Sequence, residues 1–283
     1  MEFGASIFFT EYSISPAVLA PALEERGFDS LWAYEHSHIP VSRRSPLPGG
    51  ANLERAYHDA MDPFVTLAVA ATVTTRLKVG TAVCLVIQRD TIQTAKLVAS
   101  LDQISQGRFL FGIGGGWNAE EMENHGTDFR TRFARLSEQV AAMKEMWTKD
   151  APEFHGKFVK FSKMMMWPKP AQKPHPPILV GGAFQYAAPR AIRYGDGLLP
   201  AGRALSGDPK DFMPRFHRMA REAGRDPASL PVTLSGAPED VDVLRRYRDL
   251  GIARVRVGLR SEKKEDILPV LDRWAEIIRR VRA

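Results

Sequence analysis

Short apolar runs alternate with stretches of helical period along the whole chain. The runs predict strands at Phe3 to Phe9, Ser30 to Tyr34, Leu77 to Leu85, Arg108 to Ile113, Ile178 to Gly181, Gly197 to Pro200, Val232 to Ser235 and Arg254 to Val257. Between them lie helical segments. One runs from Pro16 to Arg26 and is closed by Gly27, a natural C-cap. Another opens with Asp62-Pro63, an N-cap followed by proline at the first helical position, and runs to Thr75. Further helices cover Thr91 to Ser105, Phe133 to Trp147, Ala187 to Tyr194, Pro209 to Ala223 and Glu239 to Leu250. The last carries Ile267, Leu271, Trp274, Ile278 and Val281 on one face. Strands that alternate with helices in this way predict an α/β fold, a (β/α)8 TIM barrel. A doubly wound Rossmann sheet is the alternative. A single domain over residues 1–283 is expected, with insertions at about 37–61 and 150–177, where Pro and Gly replace the periodicity.

Composition narrows the class. The chain has 283 residues, 44% of them hydrophobic and 25% charged, which is ordinary for a globular enzyme-sized protein. One cysteine, Cys84, excludes an intrachain disulfide and a cysteine zinc site. It favours a reducing compartment, so a cytoplasmic location is expected. No apolar run is long enough to span a membrane, and Met1 to Phe9 reads as a strand and not as a signal peptide. The net charge of +6 comes from scattered basic residues. Without a dense basic run it describes a solvated surface, not a nucleic-acid site, and it suits an anionic ligand.

In a barrel the chemistry sits at the carboxyl ends of the strands. The second strand ends in Tyr34-Glu35-His36, a carboxylate and an imidazole together. They either act on a cofactor and substrate or stabilise the long loop that begins there. No acidic cluster accompanies them, so no metal site is expected. The third strand offers small residues at Gly80-Thr81-Ala82-Val83-Cys84, suited to close ligand approach or to tight packing. Cys84 reads as a buried small hydrophobe. The fourth ends in Gly112-Ile113-Gly114-Gly115-Gly116-Trp117-Asn118. This misses the dinucleotide fingerprint by one residue, at Trp117, but suits a glycine loop at a barrel mouth that frees backbone amides. Gly181-Gly182-Ala183 leads from a strand into a helix and forms either an anion cradle or an ordinary βα turn. Asp196 belongs to the opposite face and is structural. Arg254, Arg256 and Arg260 near the eighth strand either meet an anionic group or are solvated.

These residues together resemble the luciferase-like monooxygenase family, and within it the coenzyme F420-dependent oxidoreductases. The resemblance covers nearly the whole chain. It rests on Leu31-Trp32 through Glu35-His36 and Pro40, on Asp62-Pro63, and on Gly107-Arg108 with Gly112-Ile113-Gly114. Its most specific stretch is Gly116-Trp117, Glu120-Glu121, Gly126, Phe129, Arg132 and Glu138, continued by Gly181-Gly182 and Gly195-Asp196-Gly197. The resemblance implies a bacterial-luciferase-like barrel binding F420, or alternatively FMN with oxygen as a monooxygenase. It implies a non-prolyl cis peptide at Ala82–Val83 behind the ring, and Glu35 and His36 as catalytic residues. Thr81, Ala82, Val83, Gly114, Trp117 and Asn118 would complete the pocket, with Gly181, Gly182 and Ala183 at the phosphate-bearing tail. It further implies hydride transfer to or from a small organic substrate, and a homodimer. A non-catalytic flavin-binding protein is the alternative of another class. A glutamate used as an acid by a sugar-phosphate branch falls at Trp117, so a sugar phosphate is not expected.

Overall fold

The computed structural model describes residues 1–48, 50 and 52–283. Gly49 and Ala51, inside the expected 37–61 insertion, lie outside the described residues. Eight parallel strands form one sheet: β1 (Glu2–Ile7), β2 (Ser30–Ala33), β3 (Lys78–Thr81), β4 (Phe109–Ile113), β7 (Ile178–Gly182), β8 (Gly197–Pro200), β9 (Thr233–Ser235) and β10 (Arg254–Gly258). Their order is β8-β7-β4-β3-β2-β1-β10-β9. A parallel bridge from Leu198 to Val232 joins the two edges and closes the ring. The remaining strands, β5 (Phe154–His155) and β6 (Lys160–Phe161), make an antiparallel hairpin inside the 150–177 segment.

Period-two alternation builds two apolar layers. Phe3, Leu31, Val79, Phe109, Phe111, Ile178, Val180, Leu198 and Val255 point outward and pack in the core that includes the helix faces. Trp32, Ala82, Leu110, Leu179 and Leu199 point inward and plug the barrel. Trp32 needs the two glycines beside it. A Cβ at Gly80 would sit 2.5 Å from the indole, and one at Gly4 would sit 2.8 Å from its Nε1. Below the plug, Glu2 accepts from Lys78 Nζ at 2.5 Å and from Arg254 Nε at 2.8 Å, and Arg254 Nη1 donates to Thr233 Oγ1 at 3.0 Å. That ion cluster closes the amino-terminal end of the barrel. Arg254 is therefore removed from the anion-binding candidates: it faces Glu2, at the end away from the chemistry.

Helices follow the strands as the pattern requires. They include α1 (Pro16–Glu25), α2 (Pro63–Thr72), α3 (Thr91–Ile104), α5 (Arg132–Thr148), α6 (Phe184–Tyr194), α8 (Pro209–Glu222), α9 (Val241–Asp249) and α10 (Lys264–Arg282). Asp62 caps α2 by accepting from the Phe64 amide at 2.8 Å. Gly27 adopts φ +79 after α1, a conformation that favours glycine. Asp196 accepts from the Ile178 amide at 3.0 Å at the foot of β7, a structural role. Two short helices, α4 (Ala119–Asn124) and α7 (Arg203–Ser206), were not expected. The third strand is shorter than expected. Its ladder ends at Thr81, the Ala82–Val83 bond is cis, and Cys84 rejoins β4 only through a bridge to Ile113.

Candidate active site

A cavity of about 710 Å³ opens at the carboxyl ends of the strands. This is within the usual range for small-molecule and cofactor sites. Its walls bring together most of the residues singled out in the sequence: Glu35 and His36, Ala82 and Val83, Gly114 and Trp117, and Gly181 to Ala183. Two others stand outside the lining. Thr81 is fully buried and donates its hydroxyl to the Gly112 carbonyl at 2.7 Å. Asn118 caps α4, its Oδ1 accepting from the Glu121 amide at 3.3 Å. Among the described residues no group of His, Cys, Asp and Glu could hold a metal ion.

Val83 is the centre of one wall. A Cβ at Gly114 would lie 2.5 Å from its Cγ2, and a Cβ at Gly181 would lie 2.5 Å from its Cγ1. Gly115 and Gly116 likewise admit Phe133 and Met122, whose atoms would lie 2.5 and 2.7 Å from added Cβ atoms. The glycine run was expected to free backbone amides. Its first effect is instead to let side chains close on the backbone.

His36 is buried at the end of β2, within 5.6 Å of the Trp117 ring and 5.3 Å of Tyr57. Its Nδ1 lies 2.8 Å from Glu121 Oε2. A carboxylate only accepts, so it fixes the ring proton on Nδ1 and leaves Nε2 as an acceptor. The other oxygen of Glu121 accepts from the Ser37 amide at 2.9 Å. Burial pushes the Glu121 carboxyl up, but its hydrogen bond to His36 and the Ser37 amide outweigh that and hold it below its ordinary range. Sequence reading named Glu121 only within a run of family residues. The signal for its role was Asn118 followed by two acids, the start of a capped helix.

The neighbouring Glu120 ties down the long loop after β2. It accepts from Ser42 Oγ, from Arg44 Nε at 3.1 Å and from the Ser45 amide at 2.8 Å. The Ser42 hydroxyl, the Ser45 amide and Arg44 bring its carboxyl down to about 2. The loop continues to Pro46 and Pro48, which line the cavity. Glu35 has both oxygens engaged, with the Leu85 amide at 2.6 Å and Arg89 Nε at 2.5 Å. It anchors the turn after Val83 through both oxygens. Burial pushes the Cys84 thiol well up, which fits a packing residue and not a nucleophile.

The β7 side of the cavity carries positive charge. Arg132 and Arg190 sandwich Phe133, their guanidinium carbons 4.1 and 3.8 Å from its ring centroid. Arg190 Nη2 would lie 3.4 Å from a Cβ on Gly182, which adopts φ +129. The Nε atoms of both arginines are buried without a partner, and neither has a carboxylate partner among the described residues. Burial holds both guanidinium pKa values below the ordinary one. Positive charge beside a glycine-led helix start is the kind of surface that suits an anionic group. The residues present fit a flat ring that carries an anionic tail.

The model of the luciferase-like monooxygenase family matches residues 16–238. An uncharacterized protein of Mycobacterium tuberculosis is 35% identical, with 97% of this chain and 98% of that protein covered. The F420-dependent hydroxymycolic acid dehydrogenase of the same organism is 29% identical, covering 75% of this chain and 55% of that protein. The solved monooxygenase RslO1 from Streptomyces bottropensis superposes with a TM-score of 0.80 at 21% identity, over 100% of both chains, and shares the fold. The chain belongs to the luciferase-like monooxygenase family.

Proposed function

We propose that the chain is an F420-dependent oxidoreductase acting on a small organic substrate. The observation that carries this reading is the polarity of the cavity. Two arginines without a carboxylate partner among the described residues, Arg190 beside Gly182 and Arg132 by Phe133, line its β7 side, and an oriented imidazole just after β2 lines the other. The F420-dependent relative supports the choice of cofactor. Arg132, Arg190 and the Gly181-Gly182-Ala183 turn would hold the anionic tail, and the Ala82–Val83 wall would back the ring. When bound, the deazaflavin supplies a hydride donor or acceptor.

The protein's own tasks are orientation, water exclusion and proton handling. Trp117, Tyr57 and Phe8 surround His36 with aromatic surface. His36 Nε2 holds or takes the proton at the substrate atom whose charge changes. Glu121 positions the ring and stabilises it when it becomes cationic, and Glu35 positions the Val83 wall through Leu85 and Arg89. The test is turnover with F420 against a panel of alcohols, carbonyl compounds and activated alkenes under strict anaerobiosis. Hydride transfer proceeds without oxygen. Turnover that requires oxygen and reduced FMN identifies a monooxygenase and refutes the proposal.

A further inference from the structure

Alternation along β10 sends Arg254 and Arg256 to the same inner face of the barrel. Their surroundings differ. Arg254 is neutralised by Glu2. Arg256 is 2% exposed, lines the cavity floor and has no carboxylate near it among the described residues. Its Nη2 donates to Ser235 Oγ, and its guanidinium lies 5.3 Å from the Trp32 ring. Its Nε and Nη1 are buried and make no hydrogen bond among the described residues. The remaining polar neighbour, the Tyr34 hydroxyl, is shared with Ser6 Oγ at 2.8 Å.

A guanidinium stays charged even when buried, and a buried charge without a partner is strongly unfavourable. Burial and the like charge of Arg254 both act against it here. Its open Nε and Nη1 lie on different edges of the guanidinium, each shared with Nη2, and Ser235 takes only one of the two Nη2 protons; the other Nη2 proton and its neighbouring open donor form a fixed planar fork. The group that satisfies such a fork is flat, offers two acceptor atoms side by side and carries negative charge. We propose that Arg256, steadied by Ser235, is a recognition subsite in the cavity floor for a planar anionic acceptor. The acceptor is a carboxylate of the substrate or the ionised O=C–N edge of a reduced cofactor ring. The proposal deepens the oxidoreductase reading and rests on the same cavity: it makes Arg256 a specificity-determining residue and organic acids the first substrate class to examine.

The probes are sodium benzoate, and F420 in its oxidised and reduced forms. Each is titrated by tryptophan fluorescence and thermal shift into wild type, Arg256→Met and Arg256→Lys. With a substrate carboxylate as the source, benzoate raises the wild-type Tm, and both variants bind it at least tenfold more weakly. With the ring as the source, benzoate affinity is unchanged, and Arg256→Met loses at least tenfold of the preference for reduced over oxidised F420. In either case Arg256→Met without ligand melts no lower than wild type, because it removes an unpaired buried charge. If Arg256→Met does not fold, Arg256→Lys carries the test, since it keeps the charge and loses the fork. Variants that match wild type for benzoate and for both forms of F420 overturn the proposal. Arg256-dependent benzoate binding in a protein that binds no F420 would sink the cofactor reading and leave this one standing.

Discussion

Replacing Glu121 with Gln isolates the imidazole's orientation from everything else in the cavity. The carboxylate meets His36 Nδ1 at 2.8 Å on one oxygen, and the Ser37 amide at 2.9 Å and hydroxyl at 3.3 Å on the other. Glutamine has the same shape but one acceptor and one donor. If its oxygen stays on Ser37, its NH2 faces Nδ1, and the ring proton must move to Nε2. If its oxygen turns to His36, the Ser37 amide loses its partner. That amide is only partly buried, so leaving it unpaired costs about 1 kcal/mol. Unfolding entropy for 283 residues makes that a fall in Tm of roughly 2 °C. In the first arrangement, which keeps the Ser37 bond, the activity effect is larger, because Nε2 changes from acceptor to donor: turnover should fall by about 10²–10⁴-fold, with cofactor affinity nearly unchanged. Nitrogen-15 NMR of the His36 ring reports the tautomer directly and needs no substrate. His36→Ala should be as damaging, and the double variant should be no worse than either single one. An unchanged tautomer and unchanged turnover in Glu121→Gln would refute the reasoning.

Three other outcomes follow from the same geometry. Arg190→Met should weaken FMN binding about tenfold or more, the loss of a charge-assisted contact, and leave riboflavin, which lacks the phosphate, unaffected in the same quenching titration. Gly114→Ala and Gly181→Ala should each destabilise the fold by about 1–3 kcal/mol in urea unfolding by crowding Val83, and Val83→Ala should recover most of that; additive losses would disprove the contact. Glu120 and Glu121 are depressed in the folded state, so the stability they confer is present above about pH 4.3, their unfolded range, and is lost as pH falls toward the folded values. Pepsin should therefore begin to cut within residues 37–45 between about pH 4 and pH 2, ahead of global unfolding, and Glu120→Gln should expose the same sites at higher pH.

Most of the scaffold was legible in the sequence because it is written in local signals. Alternation marked the strands, Asp62-Pro63 and Gly27 marked helix ends, and the glycines marked the cavity rim. Tertiary pairings were not legible. Nothing local distinguishes Arg254, which meets Glu2 across the barrel, from Arg256, which meets no carboxylate among the described residues. Alternation with Val255 and Val257 did place both on one face, so their inward direction could have been read. The partners of Glu35, Leu85 and Arg89, arrive from distant sequence, so its anchoring contacts could not be read locally. The six-residue helix that carries Glu121 is too short for periodicity to reveal. Arg132 and Arg190 are far apart in sequence and meet only around Phe133.

The central claim is the cofactor, and one titration tests it most directly. Trp117 lines the cavity, so a bound ring should quench its fluorescence. F420 and FMN added separately to the free protein should both be compared to saturation. The proposed function predicts saturable quenching by F420 at lower concentration than by FMN. Tighter binding of FMN, or no binding of F420, would contradict it.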